Sequence, residues 1–247
     1  MARLPRLFAP DQAQLITAQF TPATAQLLSA SAGQVFERLV SWLGQSAHQH
    51  RVSIHGWCIA SQGLYVLATP NEALGVSRLI QDLGRRLAAQ LKAGGVFSGR
   101  YRSTIPQPER WVLPCLIWLE RSTTREGLVD EPAQWAWSSA HAHTEGSDAR
   151  ATWLQPHADY WLCGNTPFAR QAAYRDRLNA GNGAAIDAQI EVALKGQWGL
   201  GDQPFLTELA VCANRRVQPG LRGRPKRVSA QTDGASLINK AHRSQDI

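Results

Sequence analysis

The chain has 247 residues, 44% of them apolar, enough to bury a sizeable core in one large domain or two small ones. A formal charge of +7 points to a polyanionic partner, nucleic acid ahead of a membrane surface or an acidic protein. The four cysteines form no CxxC pair, which argues against a zinc ribbon and for free thiols in a reducing cytoplasm, and no apolar run is long enough for a signal peptide or a membrane span. Thirteen prolines and 20 glycines argue against long uninterrupted helices, and most of the nine tryptophans are expected in the core.

In chain order, 12–20 alternates as a first strand, and "TPATAQLLSASAG" reads as a loop or weak helix. "QVFERLVSWLGQ" places Val35, Phe36, Leu39, Val40 and Leu43 at helical spacing. "RVSIHGWCIAS" and "GLYVLAT" read as a hairpin around Ser61-Gln62-Gly63, with Val52, Ile54 and Cys58 on one face. Asn71 is placed to cap a second helix carrying Leu74, Leu79, Leu83, Leu87 and Leu91. "GVFSGRYRSTI" is a further strand, and a third helix runs over 109–120, with Pro114 tolerable only in its first turn.

The order strand, helix, strand, strand, helix, strand, helix is that of a ferredoxin-like α+β fold, an antiparallel sheet with helices on one face. It spans 1–142. Polar residues over 143–150 read as a linker, and three short helical patterns over 151–217 as a small helical domain. From 218 to 247 the chain is a basic, weakly apolar tail, expected to be disordered when free.

Three basic features are candidates for phosphate contact. In "RGRPKR", Arg222, Arg224, Lys226 and Arg227 flank a Gly-Arg-Pro core. That segment resembles an AT-hook, thin and extended enough for the minor groove of A·T-rich duplex; the alternatives are a solvated tail or a targeting signal. Arg215 and Arg216 extend the same basic run. In "GRYRS", Arg100 and Arg102 lie two apart on an expected strand, so they share a face while Tyr101 points away. A surface pair is the equal alternative. Arg85 and Arg86 sit on the second helix, where a solvated face is the usual reading. The histidines do not gather at metal-ligand spacing; His48, His50, His141 and His143 read as surface residues, and His55 has no evident acidic partner.

Several blocks, in order, carry a resemblance: "MARLPRL", "SIHGWCIASQGLYVLATP", "GVSRLIQDLGRR", "GRYRST", "PERWVLPCLIWLERSTTREGLVDEPAQWAWSS", "YRDRL", "WGLGDQPF" and "RRVQPGLRGRPKR". Together they resemble the REP-associated tyrosine transposases, bacterial members of the HUH superfamily of single-strand transposases. The resemblance implies an HUH-type sheet and a bacterial, nucleoid-associated protein. It further implies a single-stranded or hairpin DNA partner and a divalent cation such as magnesium or manganese. In that family two histidines on the second hairpin strand hold the cation, and a helix tyrosine attacks the DNA to form a phosphotyrosine.

This chain departs from that pattern at each of those positions. Gly63 and Tyr65 stand at the histidine positions, and Trp118 at the nucleophile position. Glycine has no ligating side chain, tyrosine is a poor ligand for magnesium, and an indole has no hydroxyl. The expectation is therefore a catalytically degenerate, transposase-like DNA-binding protein, with no catalytic residue, no metal site and no cofactor. The alternatives are an active metal-dependent single-strand endonuclease with relocated residues, or a non-catalytic interaction protein or pseudogene product. The oligomeric state is left open.

Overall fold

A computed structural model describes residues 5–146 and 148–220. The tail residues Arg222, Arg224, Lys226 and Arg227 lie outside the described residues.

Strands β1 (Gln14–Gln19), β2 (Val52–Ile59), β3 (Gly63–Pro70), β4 (Arg102–Pro106) and β5 (Gly199–Leu200) form one sheet in the order β2-β3-β1-β4-β5. The first four are antiparallel in ferredoxin-like order, with β1 between β3 and β4. The short β5 adds a parallel edge beside β4.

One face is covered by α1 (Pro22–Gln49) and α2 (Gly75–Leu91). Their core includes Phe36, Leu39, Leu43, Leu79 and Leu83, which meet Ile16, Ile54, Leu64 and Val66 from the strands. The opposite face is also covered, which the expectation of helices on one face did not include. There α3 (Val112–Glu120), α4 (Ser122–Arg125), α5 (Ala140–Thr144), α6 (Ala158–Trp161), α7 (Pro167–Ala180) and α8 (Ala184–Gly196) follow one another. Leu15, Cys58 and Leu67 of the sheet share one core with Leu116 of α3, Tyr174 and Leu178 of α7, and Ile190 of α8. The C-terminal helices therefore bury part of the sheet. Helix α9 (Gln203–Cys212) completes a small third cluster around Leu7, Ile105 and Leu209.

Four local expectations are corrected. The segment after Thr21 is not a loop but the first half of α1, a helix of 28 residues. The Thr21 hydroxyl accepts from the Thr24 N–H, Pro22 fits the first turn, and the buried stripe from Leu28 to Ala47 carries the helix through its interior glycines. Asn71 does not cap α2: its N–H donates to the Arg51 carbonyl, and α2 starts after Leu74 without a side-chain cap. Cys58 does not share a face with Val52 and Ile54. A bulge between Ile54 and Gly56 reverses the alternation, so Trp57 and Ile59 join the helix-covered core and Cys58 turns to the other.

The fourth correction concerns the polar stretch from 143. His143 lies within α5, not on a surface linker, and is 1% exposed. Its Nδ1 meets Glu120 Oε1 at 2.7 Å, and Tyr160 donates to its carbonyl. A polar sequence was masking a buried hydrogen-bonded network, in which the His143 Nε2 is left without a partner.

His55 is the extra residue of the bulge and is buried. Its Nδ1 lies 2.6 Å from the Gln155 carbonyl and its Nε2 2.8 Å from the Thr69 hydroxyl, with the His157 ring 5.0 Å away. A carbonyl can only accept, so Nδ1 carries the proton and Nε2 accepts from Thr69. Burial lowers the His55 pKa from 6.5 to about 4. The unfolded chain then binds the extra proton between those values. Stability is complete above the unfolded pKa and falls as pH drops toward the folded one, by at most about 3 kcal/mol. Urea midpoints from pH 7 to pH 4 should show a shallower fall for His55→Gln than for the native chain. Parallel curves would contradict this.

Candidate functional site

At the end of the hairpin the strand alternation puts Gly63, Tyr65 and Leu67 on the face turned toward α3. Trp118 of α3 comes to meet Tyr65, ring centroids 5.9 Å apart and edge to face. Pro114 sits in the first turn of α3, where a missing N–H costs nothing, and its carbonyl accepts from Asn182. Tyr65 and Trp118 thus meet on a cleft of about 390 Å³, while Gly63, two residues earlier on β3, packs against β1 outside its lining. Arg102, Arg125, Glu126 and Lys195 also line it.

Several polar groups of this cleft are engaged with one another. Glu126 accepts from the Ser61 hydroxyl at 2.5 Å, the Gln62 N–H at 3.2 Å and the Tyr65 hydroxyl at 3.2 Å. Burial, then the Glu126 charge, pushes the Tyr65 phenol well above its ordinary value. Deprotonation to a nucleophilic phenolate is therefore disfavoured at this residue. The Arg125 guanidinium stacks 4.3 Å over the Trp118 ring and donates to the Trp118 carbonyl. The Trp118 indole N–H is buried with no hydrogen-bond partner.

A divalent cation does not fit the residues standing at the implied ligand positions. A Cβ at Gly63 would lie 2.6 Å from the Ala18 carbonyl oxygen and 3.1 Å from the Gln19 Cα, both backbone atoms of the paired strand. Position 63 thus lacks both a donor and the room for one. The Tyr65 hydroxyl is held by Glu126. Among the described residues no three His, Cys, Asp or Glu side chains gather as a cation site.

Arg102 also borders a second cleft of about 330 Å³, together with Arg6, Arg100 and Arg215. Arg100 precedes β4 and Arg102 opens it, so the shared side expected from their spacing holds. Tyr101 points away into the core, its hydroxyl 2.9 Å from that of Ser77. Arg6 stacks over the Tyr101 ring at 4.3 Å and donates to the Gln197 side chain. Arg215 donates to the Gln197 carbonyl and lies over Trp198, and Arg216 approaches the same ring. No carboxylate lines this cleft. Burial, followed by the charges of Arg100 and Arg215, lowers the Arg6 pKa.

Arg85 and Arg86 are not part of this grouping. Both pair with Asp82 on their own helix, and Arg86 also reaches Gln45 of α1. The sequence did not single out Arg6, Arg125 or Glu126. Arg6 lies in an N-terminal stretch whose arginines were visible but whose position was not. Arg125 and Glu126 carry no motif of their own.

No family model matches the chain, and no curated protein matches it. A solved structure of a REP-associated tyrosine transposase bound to a REP hairpin is similar, with a TM-score of 0.50 and 13% sequence identity, over 63% of this chain and 89% of that one. The mixed α+β fold, a sheet flanked by helices, is shared with that transposase.

Proposed function

We propose that this protein is a transposase-like DNA-binding protein that holds single-stranded or hairpin DNA without cutting it. The observation that carries the reading is the pairing of two adjoining clefts. One is lined by arginines, with no carboxylate among the described residues there; the other has Tyr65 and Trp118, where the resemblance implies a metal ligand and the nucleophile. The fold shared with a transposase bound to a REP hairpin supports the same reading.

Charge decides which cleft meets the phosphates. The Tyr65 cleft sets Arg102, Arg125 and Lys195 against Glu126 and Glu191, so it is nearly balanced. The second cleft is wholly cationic. A DNA phosphate belongs on the second, and the first offers aromatic edges and mixed polar groups to a base. The basic run over 222–227 extends the same role to A·T-rich duplex. A relocated nucleophile finds no support in the phenols nearby: Tyr65 is held by Glu126, and Tyr101 is buried against Ser77.

The test is a binding titration with hairpin, single-stranded and duplex DNA at several salt concentrations. Binding should be tightest at low salt, with log K falling by about 0.7 per phosphate contact for a single strand. Arg102→Gln should flatten that slope by about one contact. An absence of binding to every DNA at low salt would overturn the reading.

A further inference from the structure

We infer that the cleft of Arg6, Arg100, Arg102 and Arg215 binds a terminal phosphate, the phosphomonoester at one end of a DNA strand. The inference rests on the proposed DNA-binding role and deepens it. Segments far apart in sequence supply the four guanidiniums: the N-terminal stretch, the entry to β4 and the turn after α9. Among the described residues that line the cleft, none is a carboxylate that would neutralise them.

Five arginines elsewhere do pair with a carboxylate, and Arg121, Arg125 and Arg175 spend their donors on backbone carbonyls. Arg78 pairs with Glu72, Arg85 and Arg86 with Asp82, Arg110 with Asp202, and Arg150 with Asp148. Only in this cleft, among the described residues that line it, are several arginines held together with no carboxylate. Like charges at close range oppose one another, so the arrangement favours an anion from outside.

The contacts that fix these guanidiniums leave donors unused. Arg6 is oriented by the Tyr101 ring and Gln197, yet its Nε and Nη2 are buried without an acceptor. Arg215 is oriented by Trp198 and the Gln197 carbonyl, and its Nε is likewise without one. Oriented guanidiniums with unspent donors around a cation-lined hollow match a phosphate in charge and in donor type.

A terminal phosphate suits the cleft better than a bridging one. A monoester carries close to two negative charges and three strong acceptor oxygens, whereas a diester carries one charge. A diester must also continue in two directions, while Pro5 and Arg6 stand at the cleft with Gly196 and Gln197. Arg102 belongs to both clefts, so the attached nucleoside has a continuous path toward Tyr65 and Trp118.

The experiment compares one single-stranded oligonucleotide carrying a 5′-phosphate, a 3′-phosphate or hydroxyls at both ends, by fluorescence anisotropy. Inorganic phosphate and pyrophosphate are titrated alone by calorimetry. One phosphorylated form should bind about tenfold tighter than the hydroxyl form, the scale of a charge-assisted contact. Arg100→Gln, at an exposed position, and Arg215→Gln should each abolish most of that preference. Equal binding of all three strands would overturn the terminal-phosphate assignment while leaving DNA binding intact. Failure of every strand to bind would instead overturn the DNA-binding role. Inorganic phosphate binding as tightly as the phosphorylated strand would make free phosphate the ligand and overturn the DNA-end assignment.

Discussion

Glu120→Ala is expected to lower the unfolding free energy by about 3–5 kcal/mol, a large part of the total for a domain of this kind. Glu120 is fully buried at the end of α3. Its Oε1 accepts from the Ser139 hydroxyl at 2.5 Å and lies 2.7 Å from His143 Nδ1, and its Oε2 accepts from the Tyr174 hydroxyl at 2.7 Å. The Ser139 oxygen in turn accepts from the Trp57 N–H. One carboxylate therefore ties β2, α3, α5 and α7 together. Its removal strands the His143 Nδ1 and the Tyr174 hydroxyl, which keep their desolvation cost without that partner, while Ser139 falls back on the Trp57 backbone. Tyr174→Phe removes one hydrogen bond and should cost about 1 kcal/mol. An exposed control, Glu37→Ala, should stay within about 0.5 kcal/mol. Urea unfolding followed by tryptophan fluorescence ranks the three. Equal midpoints for Glu120→Ala and Glu37→Ala would show that the network contributes nothing.

Placing at positions 63, 65 and 118 the residues of the transposases that the sequence resembles should not give cleavage. The variant Gly63→His, Tyr65→His, Trp118→Tyr supplies the ligand and nucleophile types, but position 63 has no space for a Cβ. The obstructing atoms are the backbone of β1, where Gly63 pairs with Gln19, so they cannot swing aside as a side chain would. Gly63→Ala alone should cost about 1–3 kcal/mol, the range for overpacking. The histidine would either push β3 away from β1 or leave the ligand geometry, and Tyr65→His also removes a donor from Glu126. With manganese or magnesium and labelled single-stranded DNA, the triple variant should give no covalent adduct while staying folded by circular dichroism. An adduct would show that the change at Gly63 is reversible, against the present account.

Periodicity revealed the parts of the fold that obey it. Strand β3 alternates cleanly and α2 repeats through Leu79, Leu83 and Leu87, so their residues announced their places. One extra residue at the Ile54–Gly56 bulge was enough to reverse the faces of β2, and nothing in composition marks such an insertion. The first half of α1 is made of small and polar residues, and its helicity comes from the Thr21 cap and from docking on the sheet. His143 looked like a solvent-facing residue because its partners lie on other elements. The same limit applies to the candidate site. Arg100 and Arg102 were legible from a spacing of two. Arg6 and Arg215 meet them only because the N-terminal stretch and the turn after α9 converge there. Arg85 and Arg86, conspicuous as a basic pair, are held by Asp82.

The central claim is binding without cleavage, and one measurement reads both. Labelled hairpin DNA is incubated with the native protein and manganese or magnesium at low salt. Each sample is divided between a native gel for binding and a denaturing gel for covalent adduct. The account predicts a salt-sensitive complex on the first gel and no adduct or cut strand on the second. An adduct would contradict the loss of chemistry at Gly63, Tyr65 and Trp118, and no complex at any salt would contradict the DNA-binding role.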